Sequence, residues 1–333
     1  MTGACARKGE TAPTNAIMSG RRRHRSTTDS AVFIGWILVS TRHARFFFLL
    51  ATPLLGGCTS VPLKEGGTLI SYSRLSSEKG TLSKRRTYVD SAALSQLRTA
   101  TIIPASFTLE AAARVESLDD RRMVANMLGR ALCISLSDRF HMVPYGQVAD
   151  FSVRAAVTHL VPTDKVAAGA SAALTLGTGF ALPVAAPRLP IGLGGIAVEA
   201  EAVGHSGNQL AATVWSRGAN SISNTPRVSQ VGDAYALAAT FGTEFSKLLV
   251  DGKDRTRPDL SLPSAHRVQS WLGGKPKYAA CDTFGRSPGM VGLIVSRFGA
   301  PPKWTDNKAQ PGTSLWSPRT GSNFRQLLRP GGD

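Results

Sequence analysis

Gly195-IAVEAEAVGHSGNQLAATVWS-Arg217 is the stretch that decides the fold. Ile196, Val198 and Ala200 alternate with Ala197, Glu199 and Glu201, the two-residue period of a strand with one face in the core. Ser206-Gly207-Asn208 supplies a turn, and Leu210 to Trp215 returns as a second strand, so 195–217 reads as a β-hairpin. Upstream, Phe151 to Val161 repeats the alternation. Phe151, Val153, Ala155, Val157 and Val161 share one side, with Arg154 and Thr158 on the other. Thr101 to Leu109, carrying Ile102, Ile103 and Phe107, reads as a further strand.

Two helices bracket these strands. Ser117 to Phe140 opens with Ser117 as a cap and with Asp119 and Asp120 in the first turn, where the helix dipole favours anions. Met123, Val124, Met127, Leu128, Ala131, Leu132 and Ile134 fall on one face; Arg122, Asn126, Arg130, Cys133 and Ser137 fall on the polar face. Asp233 to Val250 places Ala234, Leu237, Ala238, Phe241, Phe245, Leu248 and Leu249 on one stripe, and Gly252 ends it. The order predicts an α+β fold: an antiparallel sheet with two main helices packed on one face, plus an irregular C-terminal segment.

The chain has 333 residues, 42% of them hydrophobic and 18% charged, which allows a substantial core and argues against wholesale disorder. Its net charge is +17. Residues 58–333 retain 31 Lys+Arg against 20 Asp+Glu, and 253–333 hold 13 against 5, so most of the excess sits at the C-terminal end. That end would attract anions such as lipid headgroups, unless it is simply a solvated basic surface.

The sharpest local signal precedes the folded region. Arg42, His43 and Arg45 form a basic segment, and Phe46 to Leu55 a run of ten mostly apolar residues, followed by Gly56, Gly57 and Cys58. The run is too short to span a bilayer and suits a signal peptide. Leu55-Gly56-Gly57-Cys58 resembles the lipobox of bacterial lipoproteins. That resemblance implies cleavage after Gly57 and acylation of Cys58, including a palmitate-type chain on its amine; two or three chains anchor stably where one does not. Residues before about 39 fit this signal poorly, so a start at Val39 is expected. Thr59, a residue other than Asp after the cysteine, favours the outer membrane.

The expected boundaries are a signal-bearing extension at 1–57, a tether with a first docking segment at 58–98, the α+β domain at 99–252, a Pro/Gly-rich basic segment at 253–307 with one short helix at Pro288 to Phe298, and a tail at 308–333. Val166 to Pro187 is uncharged for 22 residues. It is long enough to span a membrane, but its glycines and prolines favour an apolar loop or short helix packed on the domain, or a contacting hairpin.

Several stretches resemble an uncharacterised family of bacterial lipoproteins, domain of unknown function 3313. They are Tyr72-Ser73-Arg74-Leu75, Tyr88-Val89-Asp90, Leu132 to Phe140, Ala149 to Thr158 and the hairpin Gly195 to Ala219. The resemblance covers about Cys58 to Asp251 and implies an envelope lipoprotein without lending an activity.

Catalytic signals are weak. Gly192-Leu193-Gly194-Gly195 precedes a strand rather than opening a helix, so it does not suit a dinucleotide. His24, His43, His141, His159, His205 and His266 lack metal spacing, and Asp119 and Asp120 read as helix-start charges. No catalytic residue, cofactor or metal is expected. Once Cys58 is acylated and the leader is lost, Cys133 and Cys281 remain. A thiol on a helix's polar face in an oxidising compartment suggests that they bond to each other, the alternative being two unpaired thiols.

The function expected from these readings is a non-catalytic binding or scaffolding module. It would be held by lipid at the periplasmic face of the outer membrane and contact an envelope protein partner. Alternatives are an envelope enzyme with a dispersed active site, and a module that binds cell wall or anionic lipid. Nucleic acid is not expected as a partner, since the basic regions lack interleaved aromatics.

Overall fold

The computed structural model describes residues 60–179, 188–254 and 262–306. In chain order the elements are β1 (Ser83–Val89), α1 (Ser91–Gln96), β2 (Thr99–Ile102), β3 (Ser106–Phe107), α2 (Leu109–Ala113), α3 (Leu118–Leu136), β4 (His141–Met142), β5 (Phe151–Val161), α4 (Lys165–Gly179), β6 (Gly195–Gly204), β7 (Gln209–Gly218), α5 (Gly232–Asp251), α6 (Ala265–Trp271), a 3-10 turn (Ala279–Phe284), α7 (Gly289–Arg297) and α8 (Pro302–Thr305).

The strands form one seven-stranded mixed sheet in the order β1-β7-β6-β5-β2-β4, with β3 also paired to β5. The β6–β7 hairpin is its centre, with Val198 opposite Trp215 and Ala200 opposite Thr213. Gly207 makes the tip possible, with φ +81 where a side chain would strain the turn. From β1 to β5 every pairing is antiparallel. The expectation of a wholly antiparallel sheet fails beyond β5, where β2 pairs parallel with β5 and β4, and β3 parallel with β5. The cause is α3. A helix this long carries the chain back along the sheet, so β4 runs in the same direction as β2.

The two long helices cover the face bearing Ile196, Val198, Ala200, Ala211 and Trp215. Phe241 of α5 meets Trp215 edge to face at 5.3 Å. Gly242 lets α3 and α5 close on each other, since a Cβ there would lie 2.6 Å from that of Ala131. Ser117 caps α3 by accepting from Asp120 N, and Gly252 ends α5 in the left-handed conformation.

α5 begins without a side-chain cap. A buried ion pair holds that end instead. The Asp233 carboxylate accepts from both Arg188 guanidinium nitrogens at 2.5 and 3.1 Å, from Thr163 Oγ1 at 3.0 Å and from Gly194 N at 2.7 Å. Four hydrogen bonds make the buried Asp233 charge tolerable.

Two sequence expectations take a different form, and a third resolves to one of its alternatives. Residues 60–98 supply strand β1 and helix α1 to the fold, beyond the docking segment expected beside a tether. Residues 165–179 form helix α4, with Ala168, Ser171 and Ala172 buried, which is the packed short helix among the expected alternatives, and no described helix is long and apolar enough to cross a membrane. The polar face of α3 is covered: Arg130 and Cys133 are each 1% exposed. The C-terminal segment lies over it. Cys133 and Cys281 are disulfide-bonded with Cα atoms 5.5 Å apart, Phe284 lies where a Cβ on Gly129 would sit, and Arg130 donates to Asp306 Oδ1 at 2.5 Å.

The bridge spans 148 residues. Cys281→Ser should therefore lower the unfolding free energy by about 2–5 kcal/mol, by the chain-entropy argument for long closed loops. Urea unfolding measures this, and protease cutting within 262–306 should rise in parallel. A variant as stable and as resistant as the parent contradicts that account.

Candidate functional site

Gly57 and Cys58 lie outside the described residues. The chain enters the fold immediately after them. Val61 is 3% exposed, packs on Gly195 and accepts from Ser216 Oγ at 3.1 Å through its carbonyl. From there residues 61–76 cross the sheet on the face away from the helices. Leu63, Leu69, Tyr72 and Leu75 pack against Ala212, Val214 and Tyr88 in a second, smaller core.

Two glutamates hold this strap. Glu199 and Glu201 stand on the face of β6 opposite the helices, and both are fully buried. Glu199 accepts from Gly66 N at 2.7 Å, Thr68 N at 3.1 Å, Thr68 Oγ1 at 2.5 Å and the Tyr72 hydroxyl at 2.9 Å. No cation is among these partners. Glu201 accepts from Ile70 N at 2.9 Å, Gln209 Nε2 at 2.7 Å and Arg154 Nε at 2.5 Å. The strap's own backbone N–H groups thus solvate the carboxylates, as water would if they were exposed.

Where the strap turns back into β1, a cleft of about 430 Å³ opens between β1, β7 and α5. That volume is within the range of small-molecule sites. Trp215 and Phe241 form its apolar floor, and Arg85, Arg217, Lys247, Glu244, Asp251 and Asp254 its charged walls. Glu244 accepts from Trp215 Nε1 at 2.8 Å. Asp254 accepts from Arg85 Nε at 3.0 Å and Thr87 Oγ1 at 3.2 Å. Glu244 and Asp254 are thus both committed to neighbouring donors.

Residues 64–245 match the family described as "Protein of unknown function (DUF3313)". The chain belongs to that family. The match runs from the strap through most of α5 and stops short of the C-terminal segment that carries Cys281 and Asp306. No curated protein matches. Similar solved structures include two PelC dodecamers from Paraburkholderia phytofirmans, the first of them carrying a leucine-to-methionine substitution. Each is 13% identical with a TM-score of 0.31, covering 53% and 50% of this chain and 100% and 97% of those chains.

Among the described residues, no three His, Cys, Asp or Glu side chains gather in a way that could hold a metal ion. Gly192 lies in the loop before β6, its φ at +64. Asp119 and Asp120 occupy the first turn of α3. Sequence reading missed Arg188, Asp233 and the roles of Glu199 and Glu201. The glutamates' alternation was visible, yet it reads equally as a solvated face. The usable clue was the apolar content of 61–75 (Val61, Leu63, Leu69 and Leu75), too much for a free tether.

Burial, reinforced by the neighbouring Glu199 carboxylate, pushes the Tyr72 hydroxyl from 10.0 up to about 12. A raised value means the folded state disfavours the phenolate. The stability contributed is therefore complete below pH 10 and is lost as pH climbs from 10 towards 12. Tyr72→Phe should be less stable than the parent by about 1–3 kcal/mol near pH 8, the worth of a hydrogen bond to a charged group. That gap should narrow between pH 10 and 12 in urea titrations followed by circular dichroism. A constant gap would separate Tyr72 from the glutamate network. Glu199→Leu, which strands several buried donors, should cost about 2–5 kcal/mol and expose 61–76 to protease.

Proposed function

We propose that the chain is an envelope lipoprotein whose α+β domain binds or scaffolds rather than catalyses, held by lipid on Cys58 at the periplasmic face of the outer membrane. The observation that carries this reading is the junction at Val61. A signal-type leader ends in Leu55-Gly56-Gly57-Cys58, and the fold begins three residues later with a buried side chain. A cysteine three residues before a buried side chain suits an anchor and leaves little length for a tether. Thr59 favours the outer membrane. A disulfide between Cys133 and Cys281 suits an oxidising compartment.

Binding is favoured over catalysis by the character of the cleft. Its carboxylates are paired with arginine, threonine and indole donors, and its floor is aromatic. A second reading, a module that binds cell wall or anionic lipid, draws on the same cleft, where Arg85, Arg217, Lys247 and Lys253 could meet an anionic group over an apolar floor.

Metabolic labelling with palmitate tests the anchor. The wild-type chain should incorporate label, and Cys58→Ser should lose it. A wild-type chain that takes up none, or a serine variant labelled equally, overturns the proposal.

A further inference from the structure

The sheet has two ends, and they differ in character. At one end lie Val161, Gly195 and Gly218, paired through β5, β6 and β7. The chain enters here, because Val61 sits on Gly195 and under Ser216. The other end carries the β6–β7 turn and Asp150, joined through His205 N to Asp150 O at 3.0 Å.

The entry end is bordered by apolar side chains left in the open. Val166 opens α4 at 82% exposed, Ile191 precedes β6 and Ile222 follows β7 at 89% exposed. α7 adjoins the same end, since Val228 N donates to Gly299 O at 2.9 Å and Gly299 lies against Ala172 of α4. α7 has the sequence GMVGLIVSR. Gly292 is its only buried residue, while Met290, Val291 and Ile294 are all more than half exposed. Lys165, next to Val166 in the chain, Arg297 at the end of α7 and Lys303 on α8 are exposed cations. So many exposed apolar side chains toward one end of a domain are unusual on a protein that meets only water.

The length of chain preceding the fold identifies the occupant. Val61 lies three residue steps after Cys58, and a fully extended chain covers at most about 3.6 Å per residue, hence about 11 Å. A lipid-bearing Cys58 therefore keeps the entry end, where Val61 sits, close to the bilayer surface. Given the lipid anchor proposed above, on which this step rests, we infer that the entry end with α7 is a membrane-docking surface that lies in the headgroup region of the bilayer holding Cys58. The apolar side chains enter the boundary with the acyl chains, and Lys165, Arg297 and Lys303 meet lipid phosphates. The domain is then fixed in orientation, with the hairpin turn directed away from the membrane.

The test uses the full lipidated protein reconstituted into vesicles of phosphatidylethanolamine and phosphatidylglycerol. An environment-sensitive fluorophore is attached to Ile294→Cys or, as control, to Val148→Cys, an exposed position at the far end of the sheet. The probe at 294 should be quenched by lipids carrying a shallow spin label and shielded several-fold from aqueous iodide. The probe at 148 should be open to iodide and untouched by the lipid quencher. Equal iodide access at both positions, on a chain shown to carry palmitate, overturns the docking alone. Shielding at 294 that grows with protein density without lipid quenching marks a second copy on the patch, and it also overturns the docking. A chain without palmitate overturns the anchor and the docking together.

Discussion

Two buried carboxylates govern one whole face of this protein. Glu199 and Glu201 project from the central strand, and a carboxylate without water needs donors or a cation. The strap at 61–76 provides them. Gly66, Thr68 and Ile70 turn their backbone N–H groups onto the two side chains, and Tyr72 adds its hydroxyl. Each partner requires the other, since the strap's N–H groups would themselves be unpaired without the acids. The result is a sheet covered on both faces, by helices on one and by an irregular segment on the other.

The same logic recurs on the helical face. Arg130 is enclosed on α3, and its two terminal nitrogens donate to Asp306, the Tyr235 hydroxyl at 3.0 Å and the Arg286 carbonyl at 2.7 Å. Arg227 lies over the Tyr235 ring and donates to Thr305 Oγ1 at 2.6 Å. Burial holds this arginine below its ordinary value, and the Tyr235 hydroxyl well above its own. With the Cys133–Cys281 bond, this cluster fastens a segment beyond the family match to the family's core. The segment's basic character is thus partly internal, because Arg267 and Arg286 pair with Asp138 and Asp282.

These two fastenings suit a domain whose termini are both held against the body. A strap locked to the sheet from Val61 onward leaves little slack for a flexible tether, and a clasped C-terminal segment presents α7 as a fixed element. Binding would then be organised by geometry, with the cleft between β1 and α5 and the apolar end occupying set positions relative to one another.

The sequence by itself determined the elements that bury one face in a regular period. The hairpin at 195–217, β5, α3, α5 and the short helix near 288–298 were legible because apolar side chains at spacings of about 2 or 3.6 declare which face seeks the core. Local order alone also marked Leu55-Gly56-Gly57-Cys58 as resembling a lipobox. Only the tertiary structure decided that β2, β3 and β4 run parallel to their neighbours, that Glu199 and Glu201 point into a strap, and that Arg130 on α3 is buried against Asp306. These last two depend on partners far along the chain, such as Thr68 for Glu199 and Asp306 for Arg130. A buried charge looks like a surface charge in sequence, because periodicity records which residues avoid water and not which distant groups replace it.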